Sequence, residues 1–374
     1  MTDDSYMAAF PALCDRRKAI RLMATGFAGA ALMPSAAISR DAAFPKKAII
    51  RTILHDLRPE DLAGGATLYH EHLSFSREFA TKLANTPFPG TRGGGRGPRG
   101  PQPGEKYFLE DLDLMTAEIA AAKKDGVACL VDAGHPDMGR SLTFLKQLSE
   151  RSGMPIVAGT GYYGQPFYTP EVIAMTVDQL SRDLVTQART APIGAFGEIG
   201  TWDVAMSPDE RKVFRAVGKA HLATNLPIFT HTAFGRGAVE QLDTLESAGV
   251  NPRSIAIGHL GGLLDPKVEV QKAICKRGAY VGIDRQGGGR DAAQVPLVIA
   301  LIEAGYTDNL LFASDFSIAA RLKHNGGPGY AQTVTVFGPK LREAGVKEET
   351  LHRILVDNPR RFLAFVPKHR RHEL

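Results

Sequence analysis

Residues 68–73, LYHEHL, form an apolar run that closes on a His-x-His pair. Side chains alternate along a strand, so His70 and His72 share one face while Glu71 points to the other. Two imidazoles on one face at a strand end supply half of a metal site. Alone, the pair also fits two hydrogen-bonded surface histidines. Four more ligand-type residues close later apolar runs: Glu198 in GAFGEIG, His231 in PIFTHT, His259 in IAIGHL and Asp315 in LLFASD. Two divalent ions roughly 3.5–4 Å apart need about five or six protein donors, one of them bridging. His70, His72 and Asp315 would hold one ion, His231 and His259 the other, with Glu198 between them. Imidazole and carboxylate donors suit Zn²⁺, with Mn²⁺, Co²⁺ and Fe²⁺ as alternatives. The nucleophile would be a shared hydroxide, since metal binding lowers the pKa of water to about 7. Asp315 would accept its proton, which makes Asp315 and Glu198 the candidate catalytic carboxylates.

Six donors scattered over 245 positions need a scaffold that brings distant strand ends together. Eight apolar runs read as strands, at 66–72, 127–132, 155–160, 193–199, 226–231, 254–259, 279–284 and 309–315. Helical periodicity fills most of the intervals, at 109–124, 170–188, 208–224, 237–248, 266–276 and 294–304. Strand–helix alternation repeated eight times predicts an α/β protein, a single-domain (β/α)₈ TIM barrel over residues 44–367. A doubly wound sheet is the alternative, but it would not gather ligands from strands one, four, five, six and eight. Residues 48–54 are expected to add an introductory strand, and 348–365 a closing amphipathic helix.

The chain has 374 residues, a formal charge of +5 and a pI near 9.0. Its basic excess lies in 1–37, 91–106 and the tail at 367–374, leaving the body near neutrality, so polyanion binding is not expected. Residues 16–37 run from Arg16, Arg17, Lys18 and Arg21 through LMATGFAGAALM to small residues. That order describes an export signal of the twin-arginine type over residues 1–43. Its apolar core is too short for a bilayer span. The expected location is therefore periplasmic or secreted, with no stable membrane anchor and a basic tail at 368–374. Cys14, Cys129 and Cys275 make no disulfide framework. The last two are expected to be buried and inert. The Gly/Pro/Arg-rich segment 89–104 cannot pack a core and is expected to form a loop over the active-site face.

The order HxH, Glu, His, His, Asp resembles the phosphotriesterase family of the amidohydrolase superfamily. TLYHEHL, VDAGHPDMGR, PIVAGTGYYG, GEIGT, FTHTAFGRGAVEQL, IGHLGG, FASD and LKHNGGPGY extend the likeness over about residues 50–365. One departure stands out: 193–200 contains no lysine, and Glu198 occupies the place of the carboxylated lysine of the best-known members. That is similar to the phosphotriesterase-homology branch. The resemblance implies a (β/α)₈ barrel and a binuclear metal-dependent hydrolase. The substrate would be a lactone, carboxylic ester or phosphotriester, with an N-acyl amide as the alternative and a non-catalytic barrel as the remote one. It also implies that Tyr163 and the Asp284–Arg285 pair face the substrate, the latter as in the family's lactonases. A homodimer is the expected assembly. Asp132 and His135 read as structural, Asp132 orienting neighbouring loops. His55, His221, His324, His352, His369 and His372 lack strand-end context and read as surface residues.

Overall fold

All eight expected runs form strands in the computed structural model of the protein, which describes residues 44–87, 104, 106–287 and 289–368. They are β1 Ala66–Glu71, β2 Val127–Asp132, β3 Ile156–Thr160, β4 Ile193–Gly200, β5 Ile228–His231, β6 Ile255–Ile257, β7 Tyr280–Ile283 and β8 Leu310–Phe312. Neighbours pair in parallel in strict sequence order from β1 to β8. A doubly wound sheet would reverse that order at a switch point. This is the (β/α)₈ barrel, nearly closed. Its last seam, between β1 and β8, lacks a paired ladder but carries a bond from the Asp315 N–H to the His70 carbonyl (3.1 Å).

Strand ends differ from the expected ones where the backbone turns. The runs 254–259 and 309–315 leave the ladder at Ile257 and Phe312. His259 (φ 62°) and Asp315 (φ 49°) adopt left-handed backbone conformations that cannot continue a strand. The helix Pro208–Thr224 keeps its expected bounds, fixed by Pro208 in its first turn and a Ser207–Glu210 capping box. The stretch 170–188 instead splits into Pro170–Ala174 and Val177–Thr190, because Thr176 and Gln179 form a new capping box. The closing helix over 348–365 runs as Glu348–His352, widened turns at Arg353–Asp357, and Asn358–Leu363. The introductory strand is a short hairpin, Ile50–Arg51 against Asp56–Leu57.

Inside the barrel, toward the strand starts, Cys129, Val131, Val157, Ala195, Phe229, Ala256 and Leu311 form an apolar plug with Ile50, Leu62 and Phe362. Cys129 and Cys275 are both buried free thiols, whose pKa burial pushes up to about 12. His55, His324 and His352 are exposed, whereas His221 is buried. That corrects its reading as a surface residue. It lies on the inner face of Pro208–Thr224, and its Nδ1 is 2.7 Å from the Leu226 carbonyl. Periodicity hides this because one imidazole can sit on the buried side of an amphipathic helix once its ring N–H finds a carbonyl. Among the described residues no helix is long and apolar enough to cross a membrane. The leader at 1–43, the loop residues 89–103, His369 and His372 lie outside the described residues.

Candidate metal centre

The C-terminal ends of β1, β4, β5, β6 and β8 bring all six expected donors to one place. Glu198, 1% exposed near the end of β4, is its hub. Oε2 lies 3.0 Å from His70 Nε2, 3.0 Å from His231 Nδ1 and 3.3 Å from His259 Nε2, while Oε1 lies 3.5 Å from His72 Nε2. One carboxylate therefore touches all four histidines. Asp315 Oδ1 approaches His72 Nε2 (3.1 Å) and His70 Nε2 (3.7 Å). The donors sort into His70, His72 and Asp315 on one side and Glu198, His231 and His259 on the other. Each set has its ligand atoms within 4.8 Å of one another.

Charge makes such a cluster costly unless it is compensated. Burial opposes ionisation of Glu198, yet His70 and His231 hold its carboxyl well below the usual range. Burial likewise opposes the charge on Asp315, and Arg285 followed by His72 outweighs it. For His72, burial is overcome by Asp315 and Glu198, which lift its pKa to about 10. For His231 burial wins, lowering it to about 4. Some ring nitrogens remain orphaned. His70 Nδ1 and Nε2, His72 Nδ1 and His231 Nε2 have no hydrogen-bond partner, although His70 Nε2 is only 3.0 Å from a carboxylate oxygen. A short contact without hydrogen-bond alignment is what two ligands of a common cation show. Four imidazoles and two carboxylates with this geometry fit a pair of divalent ions.

Behind the donors stand groups whose roles periodicity did not reveal. Asp284 is buried rather than open to substrate: Oδ1 lies 2.7 Å from His259 Nδ1, and Oδ2 accepts the Tyr69 hydroxyl (2.6 Å) and the His259 N–H (3.1 Å). It thereby fixes the tautomer and orientation of His259. Burial and then Arg285 would lower His259, but Asp284 and Glu198 raise it to about 9. Gly282 admits the Tyr69 hydroxyl, since a Cβ there would lie 1.8 Å from it. Asp132 accepts from the Leu73 and Ser74 N–H groups (2.8 and 3.3 Å), orienting the turn after β1. His135 is buried against Asp137. Tyr163 places its hydroxyl 3.4 Å from His231 Nδ1, whereas Tyr162 turns away to Asp183. Arg285 donates from Nε to Asp315 Oδ2 (2.7 Å) and lies over the Phe234 ring, 5.6 Å from its centroid.

The phosphotriesterase family model matches residues 50–363. The chain belongs to the phosphotriesterase family. Membership makes it a hydrolase, and the metal-fitting cluster accords with the family's metal-dependent chemistry. It is similar to the phosphotriesterase homology protein of Escherichia coli, 32% identical over 263 residues that span 68% of this chain and 89% of that one. It is also similar to the N-acetyltaurine hydrolase of Danio rerio, 27% identical across 84% of this chain and 98% of that one. Among solved structures, the phosphotriesterase homology protein from Escherichia coli, with phosphate in its active site, superposes with a TM-score of 0.70. The match has 27% identity and covers 80% of this chain and 99% of that one.

Proposed function

We propose that the protein is a binuclear metal-dependent hydrolase acting at a carbonyl carbon, with a lactone or simple carboxylic ester as its substrate class. His70, His72 and Asp315 would hold one ion and His231 and His259 the other, with Glu198 between the two; zinc suits this donor set best. When bound, such a pair ionises water near neutral pH and polarises the scissile bond. Asp315 takes up the proton released by the attacking water and can return it to the leaving group, Oδ1 being on the His72 side and Oδ2 held by Arg285. Asp284 keeps His259 in one orientation while Glu198 ties the two sets together.

The observation that carries the carbonyl reading is Arg285 docked on Asp315, with its rigid planar fork of donors beside the centre. Together with the Tyr163 hydroxyl, it suits an acyl oxygen that gains charge during attack. A second reading, hydrolysis of an N-acyl amide, is favoured by the N-acetyltaurine hydrolases that align across 84% of the chain. A panel of matched lactone, aryl ester, N-acyl and phosphotriester substrates tests both. The ester reading expects the lactone or ester to lead in kcat/KM by at least tenfold, about 1.4 kcal/mol of transition-state binding. A tenfold lead for the amide establishes the second reading, and one for the phosphotriester ends both.

We extend the proposal to location: residues 1–43 direct export through the twin-arginine route to the periplasm or beyond. Cell fractionation beside an Arg16→Lys/Arg17→Lys variant checks it. Full-length protein retained in the cytoplasm in both cases rejects it.

A further inference from the structure

Glu71 stands between two of the histidines and touches neither ion set. Strand alternation turns it out of the centre and into the seam between β1 and β8, where it is completely buried. There it faces three donors from two residues. Oε1 accepts from the Ser314 N–H (2.7 Å), Oε2 accepts from the Phe316 N–H (2.9 Å), and the Ser314 hydroxyl lies within reach of both oxygens (2.9 and 2.8 Å). Ser314 and Phe316 flank Asp315. Asp315 is itself a non-glycine residue in the left-handed region, φ 49°, a conformation that surrounding contacts must impose. Its own N–H donates to the His70 carbonyl (3.1 Å). Just past β1, the His72 carbonyl accepts from the Tyr330 hydroxyl (2.8 Å), and Tyr330 stacks on Phe316 at 4.1 Å. Three consecutive residues after β8 are thus tied to consecutive residues at the end of β1.

We propose that Glu71 is a positioning residue for Asp315. Its carboxylate closes the barrel seam that the ladder leaves open and fixes the backbone on both sides of Asp315. The Asp315 carboxylate can then face His72 with one oxygen and Arg285 with the other. Glu71 suits this task because its two carboxyl oxygens can each accept one of the converging N–H groups while the Ser314 hydroxyl turns to meet either oxygen. A glutamine would present an N–H₂ to one of those donors and lose its bond. The same alternation that places His70 and His72 on the metal side therefore aims the residue between them at the backbone of a sixth ligand, 244 positions away.

The inference rests on reading Asp315 as a metal ligand, and the experiment separates the two. Zinc-loaded wild type, Glu71→Gln, Asp315→Asn and the double variant are compared by zinc release to a chromogenic chelator. Amide hydrogen exchange over residues 314–316 is followed in zinc-loaded and chelator-treated protein. Expected for Glu71→Gln is release of one of the two zinc ions at least tenfold faster, with the other within twofold of wild type. Asp315→Asn should accelerate the same ion, and adding Glu71→Gln to it should change that rate less than twofold. Exchange at Ser314 and Phe316 should rise in both metal states. Unchanged zinc release with a lowered melting temperature overturns the proposal, as does equal acceleration of both ions. If wild type holds no zinc, the metal reading fails, and exchange in the metal-free chain alone decides whether Glu71 holds the segment. Should Glu71→Gln not fold, Ser314→Ala removes only the hydroxyl, and a smaller acceleration of the same ion is required.

Discussion

The two ends of the same eight strands are built on opposite principles. Toward the strand starts, the interior is filled by Val131, Val157, Ala195, Phe229, Ala256 and Leu311, which need only burial and close packing. At the other end the interior holds His70, His72, Glu198, His231, His259 and Asp284, with Arg285 and Asp315 at the edge. Backbone conformation follows the same division. Of the seven non-glycine residues at positive φ among those described, Phe234, His259, Val268, Arg285 and Asp315 follow β5 to β8 on the polar side. The apolar end contributes to stability through burial and packing. The polar end concentrates buried charge and restricted backbone, offset by the contacts among its histidines, carboxylates and Arg285. Stability and activity should therefore respond to different substitutions.

The largest effect expected is on the polar end. Glu198→Gln removes the negative charge shared by four histidines and should lower kcat/KM by about a thousandfold or more, in line with the loss of a central electrostatic group. Elemental analysis should fall from two ions per chain toward one or none, while the melting temperature of the metal-free protein stays within a few degrees of wild type. Reconstitution of the wild type should proceed equally well without bicarbonate, because a glutamate needs no carboxylation. A bicarbonate requirement would mean that another residue bridges.

Leu311→Ala tests the apolar end from the opposite direction. Leu311 is fully buried in the plug, so its truncation should cost about 2–5 kcal/mol of stability. Denaturant unfolding measures that cost. Metal content and kcat below the unfolding transition should hold at wild-type values; a loss of ions would show that the two ends are coupled.

Arg285→Ala is expected to act more gently. It takes a guanidinium away from Asp315 Oδ2 without removing a donor to the ions. A fall in kcat/KM of roughly tenfold to a hundredfold on the best acyl substrate, with the metal ratio still near two, is the expected outcome. Unchanged kinetics would show that Arg285 only anchors its loop.

The smallest effect sharpens the contrast between histidines. His221, outside the centre, is buried as a neutral ring, and burial lowers its pKa below the ordinary 6.5. The unfolded chain thus takes up a proton as pH falls through 6.5, before the folded protein does. The unfolded state binds more protons in that window, so stability rises with pH there and is lost on acidification. His221→Asn keeps a donor for the Leu226 carbonyl and removes the titration. The gap in melting temperature between wild type and His221→Asn should narrow from pH 7 to pH 5. A constant gap would mean that His221 is not held neutral.

Much of this was legible in the chain because it follows from local periodicity. Alternation at 66–72 placed His70 and His72 together, and each of the eight expected runs carries a strand. The residues misread or missed are those defined by partners that local periodicity does not name. Asp284 looked like half of a substrate-facing pair, yet it is buried behind His259. Nothing within the run 68–73 shows that the Tyr69 hydroxyl crosses the barrel to Asp284. His221 looked solvent-facing because helix periodicity does not state which carbonyl a ring nitrogen will find.

By itself, the sequence determined the element order, the barrel and the identity of six converging donors. Each of these depends on hydrophobic period, on turn residues or on which side chains can ligate a cation, all readable within a short window. Tertiary structure alone decided how the donors are shared out. Only the closing of the barrel, which turns the ends of β1, β4, β5 and β6 toward one another, puts one carboxylate of Glu198 against four imidazoles. Only the meeting of β1 with β8 gives Glu71 the backbone of Ser314 and Phe316 to hold. The physical reason is range. A strand's period fixes which face a side chain takes over a few ångströms, but hydrogen bonds and charges act on whatever the fold brings within about 3 Å, at any separation along the chain.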